Sequence, residues 1–143
     1  MSREINDLHA RVAAMCRSHA AACAAAGIDL LVTQTFRSAA EQDVLFAQGR
    51  TTPGNIVTNA RGGESWHQWR LAYDVVPLLA GKPVWRTSGR DGVLWAKVGA
   101  LGEQCGLEWA GRWKGELREM AHFQMTDGLT IADLQAGRQP RIA

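Results

Sequence analysis

An imidazole and a carboxylate stand seven residues apart in Ser65-Trp66-His67-Gln68-Trp69-Arg70-Leu71-Ala72-Tyr73-Asp74, where a loop runs into a strand-like stretch. Neutral imidazole and ionised carboxylate are ordinary zinc ligands, and a catalytic zinc takes three protein groups and leaves a fourth position to water. The third group must come from elsewhere. Of the four histidines, His122 stands in Glu119-Met120-Ala121-His122-Phe123, with a carboxylate three residues before it. That spacing offers a ligand in His122 and a general base in Glu119. Both pairs lie beside aromatic and branched apolar residues, where an unpaired charge is costly unless a metal or a partner satisfies it. Alone, His122 beside Phe123 would read as a core imidazole bonded to backbone; Glu119 and the first stretch favour the metal.

The same residues carry a resemblance. Ser65, His67, Ala72 and Asp74 meet the pattern Ser-x-His-x-x-Gly-x-Ala-x-Asp, and Glu119 with His122 meets a second pattern of an acid three places before a histidine. Further likeness lies in Thr35-Phe36-Arg37-Ser38 with Glu41-Gln42, in Gln48-Gly49-Arg50-Thr51 with Pro53-Gly54, and in Gly106-Leu107-Glu108-Trp109. Over about residues 28 to 125 the chain resembles the zinc-dependent D-alanyl-D-alanine carboxypeptidase and L-alanyl-D-glutamate endopeptidase family, the VanY-like peptidases, which includes phage endolysins. One departure is clear: Arg70 replaces the family's glycine, so any unusual backbone angle there must be managed with a side chain.

The resemblance implies that His67, Asp74 and His122 hold one Zn2+ and that Glu119 is the base. It implies that Arg37 faces the active site and stabilises the growing oxyanion, and that Ser65 and Gln42 help bind a peptidoglycan stem peptide. For Ser65 a second reading stands beside this, a loop hydroxyl satisfying backbone groups near His67. For Arg37 it is an arginine at a helix start paired with a neighbouring carboxylate. The loops around Gln48 to Pro53 and Gly106 to Trp109 look most like enzymes that cut between L-alanine and D-glutamate. A D-alanyl-D-alanine carboxypeptidase is the alternative enzyme, and a non-catalytic, zinc-stabilised peptidoglycan-binding module the alternative from another class.

The elements that must position these residues follow from periodicity. Ile5, Leu8, Val12 and Met15 recur at helical spacing within residues 3 to 26, closed by Gly27. Cys16, His19 and Cys23 share one face of that helix, better explained as small core residues than as a second metal site, since a straight face cannot readily wrap a tetrahedral ion. Asp29 to Phe36 reads as a strand, and Ser38 to Glu41 as a capping box opening a helix that stops at Gly49. Arg50 to Glu64 is a long loop, placed beside the substrate groove. Ala72 to Val76 reads as a strand ended by Pro77, and Leu78 to Arg90 as a connection with a short hairpin. A core helix follows over Asp91 to Cys105, with Leu94, Val98, Leu101 and Cys105 inward. Leu107 to Ala110 and His122 to Met125 read as strands with a loop between them, and Thr130 to Ala136 as a short helix. Most of the six tryptophans belong to the core, and some wall the groove.

These elements predict an α+β domain over residues 1–143, with a small, mainly antiparallel sheet and flanking helices, and no separate cell-wall-binding domain. The resemblance implies the hedgehog/DD-peptidase fold. The content, 46% hydrophobic and 21% charged, is that of a globular protein. A net charge of +2 without a dense Lys/Arg block disfavours nucleic-acid binding. Three cysteines, an odd number, predict free thiols and a reducing compartment. Nothing at the N-terminus reads as a signal peptide. By resemblance, the expected protein is a monomeric, bacteriolytic endolysin made in the host cytoplasm, reaching the wall through a membrane lesion made by a holin.

Overall fold

In the computed structural model, which describes residues 1–142, a helix over Ala10–Ala25 (α1) leads to a strand over Asp29–Gln34 (β1) and a helix over Ala39–Ala47 (α2). The long loop ends in a 3-10 turn at Trp66–Trp69, followed by strands over Ala72–Leu79 (β2) and Lys82–Pro83 (β3). A helix over Gly89–Gln104 (α3), short strands at Glu108–Trp109 (β4) and His122–Gln124 (β5), and a helix over Ile131–Gln135 (α4) complete the order. The strands form one antiparallel sheet in the order β1-β2-β5-β4, with β3 paired to β2. The α+β reading holds. The predicted domain ends on Ala143, which lies outside the described residues.

Alternation along the strands separates two faces. Tyr73 and Phe123, partners across β2 and β5, turn into the core with Val75 and Trp109. Asp74 and His122, the next pair along, turn the other way. The core face is covered by α1 and α3. On α3 the buried stripe is Trp95, Val98, Gly99 and Gly102, rotated from the expected one, so that Leu94 and Leu101 are only partly buried. Close approach is the reason: a Cβ at Gly99 would fall 2.3 Å from the Trp109 ring, and one at Gly102 2.5 Å from Phe123. The aromatic rings of β4 and β5 occupy space that helix side chains would otherwise fill.

Pro77 does not end its strand. It pairs with Leu30 inside β2 and accepts a hydrogen bond from the Val84 amide, 2.9 Å away. The donor that proline lacks is replaced from elsewhere, because the Val84 carbonyl accepts from Trp95 Nε1 at 3.1 Å. The Ser38/Glu41 capping box forms as the sequence predicts. Among the described residues no helix is long and apolar enough to cross a membrane.

Candidate metal centre

Each candidate ligand is placed by a separate device. Asp74 sits on the central strand, and the register puts His122 directly opposite it on β5. On its other side a bulge between Val32 and Gln34 shifts β1, so that Gln34 becomes the partner of Asp74. Such a bulge bends the strand, and here Thr35 to Arg37 follow it directly. His67 arrives from the 3-10 turn, whose N-cap is Ser65: its Oγ accepts from the His67 amide, and the Gln68 side chain accepts from the Ser65 amide.

Arg70 closes that turn with φ 63° and ψ 25°, a left-handed conformation that glycine adopts at little cost. Its side chain compensates. The guanidinium lies 4.0 Å from the centre of the Phe36 ring and donates to the Asp7 carbonyl at 2.7 Å.

The protonation of both imidazoles follows from their neighbours. His67 Nδ1 is 2.7 Å from the Thr35 carbonyl oxygen, which can only accept, so Nδ1 carries the proton and Nε2 turns its lone pair to Asp74 Oδ1, 3.4 Å away. His122 Nε2 meets the Gln124 side-chain oxygen at 2.8 Å, and Nδ1 meets the same Asp74 Oδ1 at 3.2 Å. Two nitrogen lone pairs and a carboxylate oxygen thus converge, all within 4.8 Å of one another. Such a set is repulsive unless a cation stands among the three, and two nitrogens with one oxygen suit a borderline-soft divalent ion. The residues fit a metal.

The electrostatics agree. Burial pushes the Asp74 carboxyl up, but the imidazoles of His67 and His122 outweigh it and hold the group well below the usual carboxylate range. Burial disfavours a charged His122, yet a proton added at Nδ1 would bond to Asp74, and the charges of that carboxylate and of Glu119 help raise the proton affinity above the ordinary imidazole value. The site is built to attract positive charge.

Glu119 stands at the rim, 54% exposed, its Oε2 3.7 Å from His122 Nδ1. It lies beside the three converging ligands rather than among them. Arg37 is buried: it donates from one terminal nitrogen to the Gln42 oxygen at 2.9 Å and from the other to Gln34, with Asp74 Oδ2 3.9 Å away. Its Nε is buried without a hydrogen-bond partner. An open groove of about 1320 Å³ crosses the sheet above these groups. Gln48 and Thr58 line it on the α2 side, Trp113 and Leu117 on the β5 side, and the exposed Trp85 lines it too.

The two expected binding residues both make contacts within the protein, and for Ser65 these are the ones its second reading describes. Gln42 is fully buried, and its amide is spent on Arg37, Ala60 and Thr58, so it shapes the guanidinium instead of meeting a ligand. Ser65 lines the groove, but its hydroxyl caps the turn that carries His67. Cys16, His19 and Cys23 all lie in the core, and the three cysteines are free thiols. Sequence reasoning missed Gln124 and the Thr35 carbonyl. Gln124 was findable, since two residues along a strand from His122 is the same face.

The comparisons with known proteins agree with this geometry. A family model described as D-alanyl-D-alanine carboxypeptidase matches residues 58–125, the stretch holding His67, Asp74, Glu119 and His122. The peptidoglycan L-alanyl-D-glutamate endopeptidase CwlK of Bacillus subtilis is 39% identical over 127 residues, covering 84% of this chain and 74% of that protein. The crystal structure of the L-Ala D-Glu endopeptidase ChiX of Serratia marcescens superposes with a TM-score of 0.61 at 24% identity, covering 91% of this chain and 86% of that one, which shows the shared fold. On the strength of a relative this similar over most of both lengths, the chain belongs to the M15 peptidase family, whose matching model is that of the D-alanyl-D-alanine carboxypeptidases.

Proposed function

We propose that this protein is a zinc-dependent peptidoglycan endopeptidase that cuts the stem peptide between L-alanine and D-glutamate. The observation that carries the reading is the convergence of His67 Nε2, His122 Nδ1 and Asp74 Oδ1 beneath an open groove, with Glu119 beside them. Zinc held by His67, Asp74 and His122 would supply Lewis-acid chemistry, polarising a carbonyl and making a water acidic enough to lose its proton near neutral pH. Glu119, at the rim, takes a proton from the attacking water at its carboxylate and passes it to the departing amine. Arg37 has donors left over from Gln42 and Gln34, and these stabilise the carbonyl oxygen as negative charge grows on it. Gln34 and Gln42 hold its plane.

The choice of bond is supported by the names of CwlK and ChiX and by a groove walled on both sides of the site, which suits a chain continuing past the scissile bond. The proposal extends to an endolysin role as a monomer. By analogy, it is made in the bacterial cytoplasm and reaches the wall through a lesion made by a holin.

The test is digestion of purified peptidoglycan by the zinc-loaded protein, with a chelated sample and Glu119→Ala as controls, and new termini identified by mass spectrometry. New N-terminal D-glutamate with free L-alanine carboxyl ends is the expected result. Release of single D-alanine would make the protein a carboxypeptidase. Zinc bound without any zinc-dependent product from several wall types would make it a binding module.

A further inference from the structure

The two histidine ligands are oriented in different ways. His67 is set by a backbone carbonyl, which no substitution removes. His122 is set by side chains, and the chain of contacts runs past Gln124 to the edge of the sheet. The register pairs Gln124 with Glu108 on β4, and the two meet on the face that carries His122.

Glu108 receives two donors: Gln124 Nε2 at Oε2, 2.9 Å away, and Trp113 Nε1 at Oε1, 3.2 Å away. An ionised carboxylate only accepts. Gln124 must therefore turn its NH2 to Glu108 and its oxygen to His122, and His122 must donate from Nε2. The lone pair that remains, on Nδ1, is the one facing Asp74. Trp113 lines the groove, with its ring 5.8 Å from that of His122.

We propose that Glu108 is a positioning residue for the metal centre: through Gln124 it selects the His122 tautomer that offers Nδ1 to the ion, and through Trp113 it ties that choice to the groove wall. The inference rests on the zinc reading above. The two donors meet different oxygens of the carboxylate, so a glutamine at this position would set its NH2 against one of them.

The experiment compares zinc affinity, by chelator competition, in the wild type, Glu108→Gln, Gln124→Glu and the two substitutions together. Each single variant disrupts the donor and acceptor order, by giving Trp113 and Gln124 one oxygen to share or by setting two carboxylates face to face. A loss of about 10- to 100-fold is expected in each. The paired exchange restores an acceptor for His122 Nε2, a donor between the two positions and an acceptor for Trp113, so its affinity should return to within about threefold of wild type. In the zinc-loaded wild type, 15N NMR should find the His122 proton on Nε2.

Wild-type affinity in Glu108→Gln, a paired exchange no tighter than the single variants, or a proton on Nδ1 would each overturn the role. Should a single variant fail to fold, the paired exchange and the NMR measurement still decide. A wild-type chain that takes up no zinc would remove the zinc reading itself, whereas one that binds zinc and cuts the wall, beside an unaffected Glu108→Gln, removes only the positioning role.

Discussion

Buried histidines lie on opposite sides of one sheet, His19 on the core side and His67 with His122 on the groove side, and only the groove side can hold a metal. On the core face, His19 Nε2 donates to the Val98 carbonyl at 2.8 Å and Nδ1 accepts from the Tyr73 hydroxyl at 2.7 Å, with Phe123 against the ring. Both nitrogens are used. On the groove face, His67 and His122 each spend one nitrogen on the protein and turn the other to Asp74. Histidine beside potential ligands therefore says little. What makes a site is the number of lone pairs left over after the fold has been satisfied.

The sharpest way to break this contrast is to remove one group from the groove face. His67→Ala should abolish zinc binding and activity together, while Glu119→Ala keeps zinc and loses about 10²- to 10⁴-fold in kcat, read by metal analysis beside turnover. Equal zinc loss in both would make Glu119 a ligand. Arg37→Ala is next, with kcat lower by about 10²- to 10³-fold and zinc retained, checked by steady-state kinetics on a soluble stem peptide. Unchanged kcat would return Arg37 to a structural role.

On the core face the loss should be of stability alone. Tyr73→Phe leaves His19 Nδ1 without its donor, and a decrease of about 1–3 kcal/mol is expected in denaturant unfolding, with zinc affinity unaltered. Burial lowers the His19 pKa, against the raising effect of the Val98 hydrogen bond. The unfolded chain then binds the proton more readily than the folded one. The His19 contribution to stability is accordingly present above about pH 6.5 and lost as pH falls through the folded pKa. His19→Gln should flatten the dependence of the unfolding midpoint on pH below about 6.5, and an unchanged slope would count against a neutral, satisfied imidazole.

The smallest effect belongs to Arg70. Glycine would relieve the left-handed angle but lose the contacts with Phe36 and Asp7, so Arg70→Gly should move stability by no more than about 1 kcal/mol in either direction. A larger decrease would show that the side chain, and not the backbone, governs this turn.

Much of this was legible in the residues because it is local. Helical spacing, capping boxes and alternation depend on neighbours a few positions apart, so α2, β1 and β5 could be placed without the fold, and α1 too except at its start, where Ile5–Asp7 forms a separate 3-10 turn and the helix begins at Ala10; His67 and Asp74 became legible once Glu119 and His122 stood beside them. What failed locally failed for tertiary reasons: Pro77 continues a strand because Trp95 takes over a bond from Val84, and α3 turns two glycines inward because aromatic rings arrive from the sheet. The register that sets Asp74 opposite His122, the nitrogen each imidazole turns to the site, and the link from Glu108 to His122 all join residues distant in sequence. No spacing encodes them. The sequence by itself determined which side chains could bind a metal; only the packed sheet decided which of their lone pairs would be left free, because that depends on where every other donor and acceptor finds its partner.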